Sequence, residues 1–215
     1  MAEKNLDFDT VIDRTHTNSL KYDFAVQRGK PKDVLPLWVA DMDFQVSSYI
    51  QEALSGSVAH GIFGYSEAEG SYFEAVAGWM GRHYGWNVEE PWLVKTPGIV
   101  FALAQAVRAF TEPGDAVLLQ QPVYYPFSQV IRDNGRKIVD NTLVQGEDGR
   151  YRMDFADFEE KIRSCKVKLF FLCNPHNPVG RVWTREELLR LGDICEKYGV
   201  IVVSDEIHAD FVFEG

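Results

Sequence analysis

Residues 168–205 read KLFFLCNPHNPVGRVWTREELLRLGDICEKYGVIVVSD, and this stretch decides the fold. Lys168 to Cys173 is an apolar run of strand length. It leads into Asn174-Pro175-His176-Asn177-Pro178-Val179-Gly180. Two Asn-Pro steps and a glycine force a sharp, non-helical turn, because the residue before a proline is pushed out of the α region. Thr184-Arg185-Glu186-Glu187 is a capping box, in which Thr184 and Glu187 reciprocally satisfy free N–H groups at a helix start. The helix it opens is predicted to run to Tyr198, where Gly199 ends it as a left-handed cap. Val200 to Val203 is β-branched and apolar, the pattern of a central strand buried on both faces. Strand, helix and strand in succession predict a parallel sheet with right-handed crossovers.

The same alternation extends upstream. Val117 to Leu119 follows the turn Pro113-Gly114-Asp115 and reads as a buried strand. Pro126 to Asn134 reads as a helix stopped by Gly135, and Lys137 to Val139 as a short strand. Asp154 to Ser164 has helical spacing, with Phe155, Phe158 and Ile162 on one side. Residues 1–35 read as an arm with short elements, ending in the apolar run Leu35 to Ala40. From about Ser48 apolar runs are expected to alternate with helices. The division expected is an arm over 1–47, opening a small domain, and an incomplete large domain over 48–215.

The totals exclude several classes. The chain has 215 residues and is 46% hydrophobic, enough for a sizeable core. A formal net charge of −10 with no clustered Lys and Arg argues against a nucleic-acid surface. Cys165, Cys173 and Cys195 are widely spaced and odd in number, so reduced thiols and a cytoplasmic setting are expected. Met1 to Thr10 is polar and acidic with no apolar signal region, and no apolar run is long enough to span a bilayer. Dinucleotide and P-loop glycine motifs, an HExxH zinc pair and a GxSxG elbow are all absent. The five histidines form no metal-ligand pattern.

In a parallel α/β sheet the ligand crevice lies beyond the carboxyl ends of the strands, and four polar clusters are expected to follow strands. Thr96-Pro97-Gly98-Ile99-Val100 opens the helix holding Ala102 to Phe110; its free N–H groups suit a phosphate, or it is an ordinary strand–helix turn. Pro122-Val123-Tyr124-Tyr125-Pro126 offers an aromatic face for stacking on a ring, or two half-buried packing tyrosines. In the Asn-Pro turn an asparagine either donates to a ligand oxygen or stabilises the turn, and His176 is expected at the surface. Ser204-Asp205-Glu206-Ile207-His208 ends the last strand. Its Asp205 either meets a cation, such as a protonated pyridine nitrogen, or caps the next turn. Glu206 is expected to be structural, pointing away from the crevice.

In this order the clusters resemble the fold-type I pyridoxal 5′-phosphate (PLP) enzymes, the aminotransferase class I/II superfamily. Asn177-Pro178-Val179-Gly180 and Ser204-Asp205-Glu206, separated by a helix and a strand, carry the resemblance. Leu37-Trp38-Val39-Ala40-Asp41-Met42-Asp43-Phe44, Phe63-Gly64-Tyr65-Ser66 and Asp205-Glu206-Ile207-His208 narrow it to the MalY/PatB cystathionine β-lyase branch. The resemblance implies a three-layer α/β/α PLP-transferase-like domain with a mainly parallel sheet. By the same resemblance Gly98, Ile99 and Val100 hold the cofactor phosphate and Tyr124 stacks on its ring. Asn177 donates to the phenolic oxygen, and Asp205 pairs with the ring nitrogen. Tyr65 matches a residue that reaches the cofactor of a neighbouring subunit, which implies a homodimer. His208 stands beside the cofactor site where aminotransferases usually carry a tyrosine.

The implied activity is carbon–sulfur β-lysis of cystathionine or related cysteine conjugates to a thiol, pyruvate and ammonia, with an aminotransferase as the alternative. A non-catalytic PLP-binding or partner-binding chain is the alternative of another class. The family's Schiff-base lysine falls beyond Asp205, and Lys166, Lys168 and Lys197 do not match it. Also unmatched are a later phosphate-binding basic residue and the arginine that grips the substrate carboxylate. The expectation is therefore the N-terminal half of an enzyme about twice as long, inactive as a 215-residue chain.

Overall fold

The computed structural model describes residues 7–213, so Met1 to Leu6 of the arm and the terminal Glu214 and Gly215 lie outside the described residues. Two compact units divide the chain, Met1–Ala75 and Val76–Gly215.

In the first unit the apolar run Leu35 to Ala40 forms no strand. It leads into an ionic cluster. Arg14 pairs with Asp41 at 2.5 Å and Asp43 at 2.6 Å, and the buried Lys21 donates to the Asp41 carbonyl at 2.9 Å. The hydrogen bonds from Arg14 hold both carboxyl groups below the usual carboxylate range. Helix α1 (Ser48–His60) starts on Ser47, whose hydroxyl accepts from the Tyr49 N–H, and stops at the left-handed Gly61. Helix α2 (Gly70–Tyr84) and helix α3 (Ile99–Phe110) follow with no strand between them. The alternation expected from Ser48 therefore begins only at Ala116. Thr96 likewise follows a 3-10 turn, Glu90–Trp92, and an irregular segment, not a strand.

The second unit holds an α/β core. Strands β1 (Ala116–Leu119) and β2 (Lys137–Asp140) flank helix α4 (Pro126–Asp133) in the chain. A short antiparallel hairpin, β3 (Val144–Gln145) with β4 (Tyr151–Arg152), leads to helix α5 (Phe155–Cys165) and strand β5 (Val167–Cys173). Helix α6 (Arg185–Tyr198) then leads to strand β6 (Ile201–Asp205). The sheet order is β2-β1-β5-β6, with every pairing parallel.

Two cores cover its faces. On one side Phe158 and Ile162 of α5 and Leu191, Ile194 and Cys195 of α6 pack on Leu118, Phe170 and Leu172. On the other, Leu103 and Val107 of α3 and Phe127, Val130 and Ile131 of α4 pack on Val117, Leu119, Leu169 and Phe171. This is the expected three-layer α/β/α arrangement. Burial at consecutive strand positions, all of β1 and Leu169 to Cys173 of β5, explains these continuous apolar runs.

Val200 to Val203 is expected to be a central strand; among the described residues β6 pairs with β5 alone, and Ile201 and Val202 are each 40% exposed. A β-branched run reports strand propensity, whereas burial on both faces requires neighbours. Among the described residues β6 has one paired strand, β5, and only Val203 leans on the α3 core.

Local signals set the helix ends. The Thr184–Glu187 capping box is formed in both directions, and Gly199 closes α6 at φ 66°. Asp154 caps α5 by accepting from the Ala156 and Asp157 N–H groups, both at 3.0 Å. Asp154→Ala is expected to cost about 1 kcal/mol of stability, the usual worth of such a cap. Urea unfolding of the full-length protein checks this; an unchanged midpoint would mean that solvent replaces the cap.

Candidate active site

The carboxyl ends of β1, β5 and β6 share one edge of the sheet, because the three strands are parallel and paired in register. Helix α3 reaches that edge with its N-terminus. Its C-terminal Thr111 is held by the Arg136 guanidinium, one residue before β2 begins, so the helix ends at the amino edge. A 12-residue α3 packed along the sheet then brings Gly98 to the carboxyl edge, since it spans about 18 Å at the usual helical rise.

Gly98 has φ 95°, a conformation side chains rarely adopt, and no side chain caps the helix it precedes. The first amides of α3, from Ile99 and Val100 onward, therefore face outward without a capping oxygen. Ile99 and Val100 are themselves exposed. Such a helix start suits an anion.

Tyr124 and Tyr125 part company. Tyr125 is largely exposed and precedes α4, while Tyr124 is 38% exposed. The Tyr124 ring is edge-on to Phe127 at 6.4 Å, and Phe127 is edge-on to Phe171 of β5 at 5.5 Å. That chain of rings fixes Tyr124 to the core beneath it and leaves part of its face open. A cavity of about 700 Å³ is lined by Gln121, Pro122, Val123, Tyr125 and Ser128 among others; none of the candidate residues, Tyr124 included, lines it.

The two asparagines of the Asn-Pro turn divide the two roles. Asn174 is structural: its Oδ1 accepts from the Trp183 N–H at 3.1 Å, and its own N–H donates to the Asp205 carbonyl at 3.0 Å. Asn177 is held by its backbone, whose N–H meets Cys173 Sγ at 3.4 Å. Its side-chain amide has no hydrogen-bond partner among the described residues. Burial pushes the Cys173 thiol up to about 11, so it stays protonated and serves as a packing group.

Asp205 is 9% exposed and lies opposite Cys173 in the β5–β6 register. One carboxylate oxygen, Oδ1, accepts from the Ile207 N–H at 3.2 Å, so Asp205 does cap the next turn. No cation pairs with it among the described residues. A nearly buried carboxylate without a cation is costly unless something positive meets it. Glu206 is exposed and accepts from the Ser204 hydroxyl at 2.8 Å. His208 lies in the following turn, at the start of a 3-10 segment Ala209–Phe211. Tyr65 belongs to the first unit, in the irregular segment after α1, and is fully exposed.

The expectation for His176 is wrong. It is 2% exposed, its ring is edge-on to Trp183 at 5.5 Å, and its Nε2 hydrogen-bonds the Pro122 carbonyl at 3.0 Å. A polar residue inside an Asn-Pro turn reads as surface, but this turn folds back over the sheet end, with Trp183 closing it. Among the described residues no group of three or more His, Cys, Asp or Glu could hold a metal ion, no helix is long and apolar enough to cross a membrane, and the three cysteines are free.

An uncapped helix start, an aromatic face, a free amide and an unpaired carboxylate are the donors and acceptors that a phosphorylated, cationic aromatic ring requires. The Aminotransferase class I and II family profile matches residues 32–215. Cystathionine β-lyase PatB of Bacillus subtilis is 48% identical over 210 residues, covering 98% of this chain and 54% of its own length. Protein MalY of Escherichia coli is 34% identical over 208 residues, covering 96% of this chain and 53% of its own. The crystal structure of cystalysin from Treponema denticola, which contains a pyridoxal 5′-phosphate cofactor, superposes with a TM-score of 0.90 at 37% identity, over 99% of this chain and 54% of that one. The chain thus spans about half the length of the curated relatives it matches.

Proposed function

The chain belongs to the aminotransferase class I and II family, and from that premise we propose that it forms the cofactor-binding part of a PLP-dependent carbon–sulfur β-lyase. The substrate class is cystathionine or related cysteine conjugates, and the products are a thiol, pyruvate and ammonia. The observation that carries the reading is Asp205, a nearly buried carboxylate with no cation among the described residues, on the same sheet edge as a turn whose Asn177 amide has no partner among them. The similarity to PatB and to cystalysin supports it.

In this reading the N–H groups of Gly98, Ile99 and Val100 bind the phosphate, and Tyr124 stacks on the ring. Asn177 donates to the phenolic oxygen. Asp205 holds a proton on the ring nitrogen by opposing its charge. The bound cofactor supplies an electron sink for the electrons released when the substrate Cα loses a proton. His208 belongs to the rim of the same pocket. The exposed Tyr65 is assigned to the cofactor of a neighbouring subunit, making the working protein a cytoplasmic homodimer.

The test is incubation of the full-length protein with cystathionine and PLP, without any 2-oxo acid. Pyruvate release supports the lyase. Turnover that requires a 2-oxo acid acceptor, with no pyruvate formed, would make the protein an aminotransferase. Tyr124 gives a second check through binding alone. Tyr124→Phe is expected to retain PLP affinity, while Tyr124→Ala weakens it by about 2- to 12-fold, the worth of an aromatic contact of roughly 0.5–1.5 kcal/mol. Equal weakening by both would identify the hydroxyl, and not the ring face, as the contact.

A further inference from the structure

The chain leaves β1 through α4 toward β2, and leaves β5 through α6 in the opposite direction toward β6. The switch point of the sheet therefore falls between β1 and β5, the place where open α/β sheets bind ligands. Two loops leave the sheet there, one carrying Pro122 and Tyr124, the other Asn174 to Gly180. A single imidazole bridges them.

His176 Nε2 meets the Pro122 carbonyl oxygen at 3.0 Å. A carbonyl only accepts, so Nε2 carries a proton. Nδ1 has no hydrogen-bond partner, and burial lowers the basicity of the ring. The residue is held firmly on its own side. Its N–H donates to the Arg181 carbonyl at 2.7 Å, and its carbonyl accepts from the Gly180 N–H at 2.8 Å. Trp183 stands against the ring and is anchored in turn by its indole N–H on the Cys173 carbonyl at 3.0 Å. A ring fixed in this way transmits the position of one loop to the other.

We propose that His176 is a positioning residue that sets the separation of the two loops across the switch point, so that Tyr124 and Asn177 address the same ligand. Tyr124 lies two residues after the carbonyl that His176 holds, and Asn177 is its immediate neighbour. Among the described residues the His176 ring makes no ring contact with Tyr124 and no hydrogen bond to the Asn177 amide, so it acts through backbone placement. The role toward the cofactor rests on the PLP reading above.

The test compares full-length wild-type protein with His176→Phe, which keeps a ring against Trp183 but has no donor, and His176→Gln, whose amide N–H can stand near Nε2. Two measurements are made: hydrogen exchange of the 120–126 segment without cofactor, and the Kd for PLP. In His176→Phe, exchange in 120–126 is expected to quicken by at least about tenfold and the Kd to rise by at least about tenfold, within the range set by leaving a buried acceptor unpaired. His176→Gln is expected to return both to within about threefold of wild type. Unchanged exchange in His176→Phe would overturn the bridge, whatever happens to PLP. Quickened exchange with an unchanged Kd would overturn the positioning role while leaving the PLP reading intact. Absence of PLP binding by wild type would overturn the PLP reading and, with it, this role for His176. Should His176→Phe not fold, His176→Asn, too short to reach the Pro122 carbonyl, takes its place with the same outcomes.

Discussion

Asp205→Asn in the full-length protein is expected to lower β-elimination turnover by roughly 10²–10⁴-fold while most of the cofactor stays bound. The magnitude follows from the cost of removing one partner of a buried charge pair, about 3–5 kcal/mol. The substitution is nearly isosteric, and the local fold has reasons to survive it. The Asp205 carbonyl that accepts from Asn174 is untouched, and an asparagine Oδ1 can still accept from the Ile207 N–H. What disappears is the charge. In the PLP reading, no other charge at the end of β6 would favour a protonated ring nitrogen, and the electron sink would weaken. The proposed phosphate site at Gly98 to Val100 and the proposed stacking face of Tyr124 are untouched by the substitution, so binding is expected to suffer less than turnover. The two quantities are read separately, kcat from pyruvate release and cofactor content from absorbance. A variant with full cofactor content and wild-type kcat would remove Asp205 from this role.

Asp205 was accessible to sequence reasoning because its environment is written locally. An apolar run ending in a carboxylate, in a chain that alternates strand and helix, puts that carboxylate at the carboxyl edge of a sheet. The same holds for Gly98, where a Thr-Pro-Gly step precedes a long apolar helix, and for α6, whose capping box and terminal glycine are both formed. These features depend on neighbours within a few residues. Features that depend on distant partners are not legible in this way. The separate fates of Asn174 and Asn177 depend on Trp183, which lies nine residues beyond Asn174 and takes up its side-chain oxygen. His176 depends on Pro122, 54 residues earlier. One signal was available: a histidine between two Asn-Pro steps, close before a tryptophan, is an amphipathic pair able to close a turn over the sheet end. The short hairpin of β3 and β4 was also unmarked, since two-residue strands carry no periodicity.

The hydrophobic support beneath Tyr124 yields the largest expected loss of stability. Phe127 is fully buried in the first turn of α4, within the cluster formed by α3, α4 and the sheet. Its ring is edge-on both to Phe171 of β5 and to Tyr124. Truncation to alanine removes most of a ring from a layer whose neighbours, Val107, Val117, Leu119, Ile131 and Leu169, are themselves fully buried and have little freedom to close the gap. Phe127→Ala is therefore expected to cost about 3–5 kcal/mol, and Phe127→Leu markedly less because much of the volume is retained. Urea unfolding of the full-length protein measures both. The site should respond as well, because the ring that Tyr124 leans on has gone. PLP affinity is expected to fall in Phe127→Ala, under conditions where the protein is still folded, by up to as much as in Tyr124→Ala. A stability loss below about 1 kcal/mol would mean that α4 settles onto the sheet and fills the space. A full stability loss with unchanged PLP affinity would separate the core from the site and show that Tyr124 is oriented by its own loop, through the carbonyl that His176 holds, and not by the ring below it.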